Sequence, residues 1–203
     1  MKECSYIHMK GEITLIQVIG IIILGVFYLA YFTKMFGQHK KGIQTNQLGV
    51  GKKTKRTMYI ERILRIITTL IVLVIIVSIY LNTTVISNMK IRYIGIVLIG
   101  IGTAVFITAM ITMRDSWRAG IPSGEKLQIV TKGIYGISRN PAFLGFDLTY
   151  IGASLAFGNV VLLVFSFVAI IIMHLQILEE ERYMEKTFGV EYLSYKQRVG
   201  RYI

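Results

Sequence analysis

Two short stretches in the second half of the chain place charged side chains directly beside long apolar runs. The first, "GIYGISRNPAFLGF" at 133–146, sets Arg139 and Asn140 immediately before Pro141. The second is the acidic run at 179–181, which follows the last apolar run of the chain. A guanidinium group binds carboxylates, and carboxylates bind cationic groups. These residue types predict a site for a ligand that carries both charges.

The residues around Arg139 suit the start of a helix. Pro141 is well placed in a first helical turn, because its missing N–H is not needed there. Asn140 is a favourable N-cap residue, and Gly133 allows a ligand to approach the backbone closely. Arg139 is then the one costly side chain without a structural purpose, and we expect it to face the acidic run across a pocket.

The acidic run lies at the predicted carboxyl end of a helix, where the helix dipole favours cations. Three adjacent carboxylates also repel one another unless a cation is near. One interpretation is a solvated acidic face outside the bilayer. Because the predicted helices bring 141 and 178 close together, we favour a ligand site shared with Arg139.

The tail beyond the acidic run predicts a further helix. Gly189 is expected to end one helix and begin another. Tyr192 and Tyr195 follow at helical i, i+3 spacing. Such a pair forms either a packing face or one wall of a ligand pocket.

Further candidates lie in the preceding loop and within the apolar runs. Trp117, the single tryptophan, stands between Arg114 and Arg118. These residues either anchor the chain at the membrane interface or contact a substrate. Asp147 and His174 are ionisable residues at membrane depth, which are functional candidates unless they reach water near helix ends. We expect no metal site.

Five apolar runs must position these residues. They cover residues 13–33, 63–81, 91–113, 141–157 and 160–178, and the lengths of four are typical of membrane spans. The fourth run is short and either spans a thinned bilayer or packs as half of a tight hairpin with the fifth. We therefore predict an all-α integral membrane protein with about five transmembrane helices. "FGN" at 157–159 is the expected turn between the last two, since Gly and Asn tolerate positive φ.

The net charge of +12 reflects orientation rather than nucleic-acid binding. Most lysines and arginines fall in segments 34–62, 114–140 and 179–203, which lie on one side of five alternating spans. The positive-inside rule then predicts an outside amino terminus and a cytoplasmic carboxyl terminus and site. The basic 34–62 segment would contact anionic membrane lipids, and its Gly-rich part, 42–53, is expected to be a flexible loop.

Both charged stretches resemble motifs of one family. "GIYGISRNPAFLG" is similar to the Arg-His-Pro motif of the isoprenylcysteine carboxyl methyltransferases and their phospholipid-methyltransferase relatives, and "EEERYMEKTFGVEYLSYKQRV" resembles their carboxyl-terminal motif. "DSWRAGI" looks like a stretch of the prokaryotic members, which implies the plasma membrane of a prokaryote. The resemblance covers roughly residues 91–203, the expected methyltransferase core, whereas residues 1–90 match only as membrane helices and a basic loop.

The resemblance implies S-adenosylmethionine as methyl donor and a lipid-like or prenylated small molecule as acceptor. The residues that it assigns to the cofactor are Gly133, Tyr135, Arg139, Asn140, Pro141, Gly145, Glu180, Glu181, Tyr192 and Tyr195. Trp117, Asp147 and His174 are the candidates for substrate contact.

The sequence does not decide whether the methyl acceptor is a carboxylate or an amine. A carboxylate is already ionised and needs only orientation, for which Arg118 or Arg114 is expected; a phospholipid amine needs a base such as Glu181. Asn140 stands where the family more often has His, and Asn cannot become cationic. Gln176 stands where eukaryotic members tend to carry Arg. A non-catalytic membrane subunit or transporter that retains the fold is the alternative from another class.

Overall fold

The computed structural model describes residues 13–122 and 128–203. These residues form six α-helices and no β-strand. The helices are α1 Leu15–Lys40, α2 Lys55–Leu81, α3 Met89–Met113, α4 Pro141–Phe157, α5 Val160–Phe188 and α6 Val190–Arg198. Short 3-10 turns, Arg114–Ser116 and Gly133–Gly136, lie between α3 and α4. The predicted all-α class is confirmed.

Four of the helices, α1, α2, α3 and α5, are long and apolar enough to cross a membrane. The fifth, α4, is apolar but has 17 residues, a length of about 25 Å. Large apolar side chains on the outer faces, such as Phe32, Val97 and Phe167, are more than half exposed, as expected of a surface that contacts lipid rather than water. The predicted integral membrane protein is confirmed.

The helices alternate in direction along the chain. The carboxyl ends of α1, α3 and α5 and the amino ends of α2 and α4 therefore lie together, beside the three basic segments. We call this side of the bundle the basic end. Both charged stretches singled out in the sequence lie at the basic end, because one precedes α4 and the other lies near the end of α5.

Glycines bring α3 and α4 into backbone contact. A Cβ atom on Gly102 would lie 2.6 Å from the carbonyl oxygen of Gly145, and one on Gly152 would lie 2.6 Å from that of Gly95. Small residues at this spacing let two membrane helices approach closely. The α3–α4 pair is the most extensive helix contact in the described residues, while α5 packs chiefly on α2. The expected α4–α5 neighbours do touch, but they are not the principal pair.

The turn at 157–159 is present, but its backbone differs from the prediction. Gly158 and Asn159 have φ of −64° and −97°, so neither residue uses positive φ. Glycine is required because a Cβ atom on Gly158 would collide with the carbonyl oxygen of Ser154. Asn159 caps α5, since its side chain accepts a hydrogen bond from the Leu162 N–H at 3.0 Å.

The segment 42–53 contains no helix or strand, as expected of a loop, but it makes hydrogen bonds with other parts of the chain; its flexibility stays a prediction. The Gln47 N–H donates to the Ala119 carbonyl at 2.8 Å, and the Ala119 N–H donates to the Thr45 carbonyl at 2.9 Å. Lys53 is not a lipid-facing cation, because its ammonium lies 2.5 Å from the Glu61 carboxylate and both side chains are buried. An ion pair between a loop lysine and a helix glutamate holds this segment against α2.

The acidic run lies inside a helix rather than at its end. Helix α5 continues ten residues past the predicted span and ends at Phe188, so the argument from the helix dipole does not apply to residues 179–181. Gly189 has φ of +52° and joins α5 to α6, which confirms the predicted helix break.

After α6 the chain turns back toward α4. Residues 199–202 run beside 138–140, where the Arg139 N–H donates to the Gly200 carbonyl at 3.0 Å. One apolar core draws side chains from α1 through α5. The division into a membrane part at 1–90 and a methyltransferase core at 91–203 stays a prediction.

Candidate functional site

A cavity of about 980 Å³ runs from the basic end into the bundle. One part lies between α1 and α2, along about 22 Å of α2 from Arg65 to Tyr80. These two helices are joined at the opposite end, where the Gln17 amide donates to the Ile79 carbonyl at 2.7 Å. The walls of this part are mostly apolar side chains, including Leu24, Phe32, Leu73 and Ile76. We call this part the apolar groove.

The other part of the cavity, at the basic end, has a polar wall. Nine of the site residues predicted from the sequence line this part of the cavity: Tyr135, Arg139, Asn140, Glu180, Glu181, Tyr192, Tyr195, Trp117 and Arg118. The structure therefore brings both charged stretches, the tail tyrosines and part of the preceding loop to one cavity. We call these residues the polar wall.

The three adjacent acids have three different surroundings because they project from successive positions of α5. Glu179 faces α2, where it accepts a hydrogen bond from the Thr57 hydroxyl at 2.7 Å and pairs with Arg182. Glu180 lines the cavity and forms no ion pair with a described residue; it accepts a hydrogen bond from Gln176 at 3.0 Å. Of the acidic run, Glu180 is the carboxylate left available to a cationic ligand.

Glu181 is held by two arginines at once. One carboxylate oxygen lies 2.9 Å from Arg139, and the other lies 2.9 Å from Arg201. This hydrogen bond and charge hold the pKa of Arg201 above its ordinary value. Two guanidinium groups against one carboxylate leave this cluster with a net charge of about +1.

Arg139 has the structural purpose that the sequence did not reveal. Besides Glu181, its guanidinium donates to the carbonyls of Lys196 and Val199 at 3.1 and 2.5 Å. It therefore fastens the carboxyl-terminal tail to the start of α4. Arg139 and Glu181 touch directly, so they do not face each other across the pocket as expected.

Asn140 occupies the N-cap position of α4 but does not cap it with its side chain. Its amide donates instead to Glu181 at 3.3 Å and to the Arg201 carbonyl at 3.1 Å. A neutral donor suffices for both contacts. The residue that replaces the family's more frequent His thus supports the tail and Glu181.

Three tyrosines complete the polar wall. The Tyr195 hydroxyl donates to the Tyr135 carbonyl at 2.5 Å, which joins α6 to the turn before α4. The rings of Tyr192 and Tyr195 are 6.0 Å apart. Burial raises the pKa of all three hydroxyls. The pKa of Tyr195 rises to about 12, although the positive charge of Arg139 acts to lower it. The three tyrosine side chains are therefore uncharged at physiological pH, and their hydroxyls can donate hydrogen bonds.

The predicted loop residues separate into two places. Trp117 lines the cavity and packs edge-on against Phe106, and its buried indole N–H has no partner among the described residues. Arg118 also lines the cavity and donates to the carbonyls of Asp115 and Trp117. Arg114 lies outside this cavity, beside a smaller cleft.

Besides Arg114, five further predicted site residues do not line the cavity. Gly133, with φ of +62°, forms the turn before α4, and Pro141 begins that helix. Gly145 packs against α3. His174 contacts the Tyr202 hydroxyl at 2.9 Å, while Asp147 is buried with one oxygen unpartnered among the described residues.

Sequence reasoning missed Glu61 behind the polar wall and noted Gln176 only as a departure from the eukaryotic members, not as a residue of the site. Both are fully buried, and the Gln176 amide lies between the carboxylates of Glu61 and Glu180. Glu61 was detectable as a lone acid within a basic, apolar stretch, and Gln176 as an amide one helical turn before Glu180. No cluster of His, Cys, Asp or Glu in residues 13–122 and 128–203 could hold a metal ion.

The two cavity-lining acids of the polar wall, Glu180 and Glu181, differ in their partners. Lys53 pairs with Glu61 behind the wall, so the Glu180 carboxyl group forms no ion pair with a described residue. The cluster of Glu181, Arg139 and Arg201, of which Arg201 does not line the cavity, carries a net charge of about +1. A ligand with a cationic group and a carboxylate matches both. The site for a ligand of mixed charge stays a prediction, and its parts are arranged differently from the expected arrangement.

Comparison with known proteins points to one family. Residues 91–191 match the family described as phospholipid methyltransferase. The chain is 32% identical over 108 residues to protein-S-isoprenylcysteine O-methyltransferase B of Arabidopsis thaliana, covering 52% of this chain and 55% of that protein. It is 38% identical over 73 residues to protein-S-isoprenylcysteine O-methyltransferase of Saccharomyces cerevisiae, covering 36% and 30%.

A third relative, protein-S-isoprenylcysteine O-methyltransferase of Schizosaccharomyces pombe, is 36% identical over 72 residues, with 35% of this chain and 30% of that protein covered. The chain thus spans about half or less of the length of these curated relatives. The matched region, 91–191, contains α3, α4, α5 and most of the polar wall. Through this region the chain belongs to the family of the phospholipid and isoprenylcysteine carboxyl methyltransferases.

Proposed function

We propose that this protein is an integral membrane methyltransferase that uses S-adenosylmethionine to methylate a lipid-like acceptor. The observation that carries the proposal is one cavity with two kinds of wall. A polar wall, with the Glu180 carboxyl group beside the Arg139–Glu181 ion pair, continues into an apolar groove within the membrane-spanning helices. Such a cavity accommodates a charged donor and an apolar acceptor side by side.

The donor matches the polar wall by charge. S-adenosylmethionine carries a sulfonium, an ammonium and a carboxylate, and it supplies an electrophilic methyl group when bound. Glu180 is the residue available for a cationic group, and the cluster of Glu181, Arg139 and Arg201 provides the positive charge for a carboxylate. Neutral Tyr192 offers an aromatic surface to the same space.

The acceptor matches the apolar groove. Its tail would lie between α1 and α2 and enter from the bilayer, because the groove is bounded by membrane-spanning helices. The reactive group would lie near Trp117, whose unpartnered buried indole N–H costs about 1–3 kcal/mol until an acceptor atom reaches it. Arg118 lines the same region.

These donors favour a carboxylate as the methylated group. A carboxylate is ionised at neutral pH and needs orientation and exclusion of water rather than a base. Trp117 and Arg118 can both donate to its oxygens. The curated relatives are named as O-methyltransferases, which supports the same choice over a phospholipid amine.

The basic end would face the cytoplasm, in line with the positive-inside rule, and the amino terminus would lie outside. We propose the plasma membrane of a prokaryote as the location, from the resemblance of "DSWRAGI" to prokaryotic members. The site would then draw the donor from the cytoplasm and the acceptor from the inner leaflet.

The test compares two adjacent acids. Glu180→Gln removes the charge that lines the cavity, and Glu179→Gln removes a charge that faces α2 instead. Calorimetry on detergent-solubilised protein should show donor affinity reduced at least tenfold for Glu180→Gln and changed less than twofold for Glu179→Gln. Glu181 is less suitable, because its removal leaves the buried Arg139 without a counter-charge.

Activity is measured as transfer of a labelled methyl group to two acceptors, a prenylated cysteine and phosphatidylethanolamine. The proposal expects transfer to the cysteine carboxylate. Transfer to the amine alone would contradict O-methylation. Absence of donor binding by the unsubstituted protein would contradict the methyltransferase assignment and favour a non-catalytic role for the fold.

A further inference from the structure

A buried amide stands directly behind the acid that lines the cavity. Gln176 is one helical turn before Glu180 on α5 and is 0% exposed. Its amide nitrogen lies 3.0 Å from an oxygen of Glu180 and 3.4 Å from an oxygen of Glu61 on α2. Two carboxylates from different helices therefore share one NH₂ group.

Glu61 provides a fixed point for this contact. One of its oxygens accepts hydrogen bonds from the Lys53 ammonium at 2.5 Å and the Gly49 N–H at 2.7 Å. The other accepts from the Ile121 N–H at 2.8 Å. Four groups, including Gln176, therefore hold the Glu61 carboxylate, so it cannot rotate without losing several buried hydrogen bonds.

The surroundings of Gln176 determine the orientation of its amide. Rotating the amide by 180° would direct its oxygen at two carboxylates, so the nitrogen must face them. The amide oxygen is then left buried without a partner among the described residues. A buried unpartnered carbonyl is unfavourable, which means that the structure tolerates a cost to keep the NH₂ group on Glu180.

The charges behind the wall leave Glu180 uncompensated. Lys53 and Glu61 form a buried pair with no net charge, and Gln176 is neutral. Glu180 forms no ion pair with a described residue. An arginine or lysine in place of Gln176 would form an ion pair with Glu180, whereas an amide orients the carboxyl group without adding a cation that would compete with a cationic ligand.

We propose that Gln176 is a positioning residue that holds the Glu180 carboxylate at the cavity wall for the cationic part of the methyl donor, with the Glu61–Lys53 pair fixing the amide. This inference rests on the proposed function. It extends the site to α2 and to the segment before it, which lie outside the region that matches the family. Donor binding then depends on contacts between both halves of the chain.

The test uses two variants of Gln176 and one matched control. Gln176→Leu removes the amide at similar volume, and Gln176→Asn keeps an amide that is too short to bridge both carboxylates. Gln17→Leu is the control, since Gln17 is also a buried glutamine but contacts Ile79 at the far end of the bundle. Having two variants keeps the test valid if one of them fails to insert or fold.

Calorimetry with S-adenosylmethionine on full-length protein in detergent measures the effect. We expect both Gln176 variants to raise the Kd of the donor about tenfold and Gln17→Leu to change it less than twofold. The KM for the donor should rise in parallel, while kcat at saturating donor changes less than threefold. Unchanged Kd with reduced thermal stability would show a purely structural role and overturn the inference.

A double-mutant cycle with Glu180→Gln separates positioning from an independent effect. If Gln176 acts through Glu180, Gln176→Leu should raise Kd less than twofold in the Glu180→Gln background. Fully additive losses would overturn the inference while leaving the proposed function intact. Failure of the unsubstituted protein to bind the donor would instead overturn the proposed function and the inference together.

Discussion

Gly145 lies in the glycine contact between α3 and α4, and a substitution there can distinguish a role in helix packing from a role in cofactor binding. The family motif assigns Gly145 to the cofactor, but the structure places it against α3 and not in the cavity wall. The perturbation is Gly145→Ala. Its matched control is Gly100→Ala, because a Cβ atom on Gly100 of α3 has no neighbour within 4 Å.

The expected magnitude comes from the spacing of the two helices. A Cβ atom on Gly145 would lie 2.8 Å from the Gly102 carbonyl oxygen and 2.8 Å from the Phe106 Cβ. Ordinary contacts begin at 3.4 Å, so α3 and α4 must separate locally by about 0.6 Å. Overpacking of this kind costs about 1–3 kcal/mol. Replacing glycine by alanine within a helix stabilises both variants by about 1 kcal/mol. The difference in stability between the two variants therefore excludes this contribution.

The assay is unfolding of purified protein in mixed micelles with a denaturing detergent, together with the Kd of S-adenosylmethionine. Gly145→Ala should be about 1–3 kcal/mol less stable than Gly100→Ala, and the folded fraction should bind the donor with nearly unchanged Kd. Equal stability of the two variants, with donor binding lost only in Gly145→Ala, would refute the packing explanation and support the cofactor assignment.

Two further predictions concern the buried ion pair and the tail tyrosine. Lys53→Met should reduce the free energy of unfolding by about 3–5 kcal/mol, because it leaves the Glu61 carboxylate buried without a cation. The double variant Lys53→Met with Glu61→Gln should recover part of this loss. A loss below about 1 kcal/mol for the single variant would show that the pair is not essential. The pKa of Tyr195 is raised to about 12 from 10.0, so the folded state binds more protons between these values and stability should fall as pH rises from 10.0 toward about 12. Unfolding measured across this pH range should show a shallower fall for Tyr195→Phe, and identical slopes would contradict the assigned environment, in which Tyr195 donates to the Tyr135 carbonyl.

The helices were predictable because membrane spans leave a local signature. Runs of apolar residues identified α1 to α5, and Gly189 marked the α5–α6 junction. The predicted spans at 63–81 and 160–178 were shorter than α2 and α5, since each helix continues into polar residues. Apolar length reports the part of a helix that lies in lipid and carries no information about its polar extension.

The partners of the charged residues were less predictable. Arg139, Glu181 and both tail tyrosines were correctly expected in one region, because two short motifs flank helices that alternate in direction. The sequence did not reveal that Arg139 fastens the tail, because its partners Lys196 and Val199 are about 60 residues away. Lys53 was interpreted as an orientation signal for the same reason, since its pairing with Glu61 depends on how the segment 42–53 folds onto α2.

By itself the sequence determined an all-α membrane protein with a basic end and a pair of charged motifs at that end, because apolar length and charge are properties of local stretches. Only the tertiary structure decided which of three adjacent acids is available to a ligand. Successive residues on a helix differ in direction by about 100°, so Glu179 meets α2, Glu180 meets the cavity and Glu181 meets two arginines. Their identical side chains acquire different roles from the neighbours that the helix packing supplies.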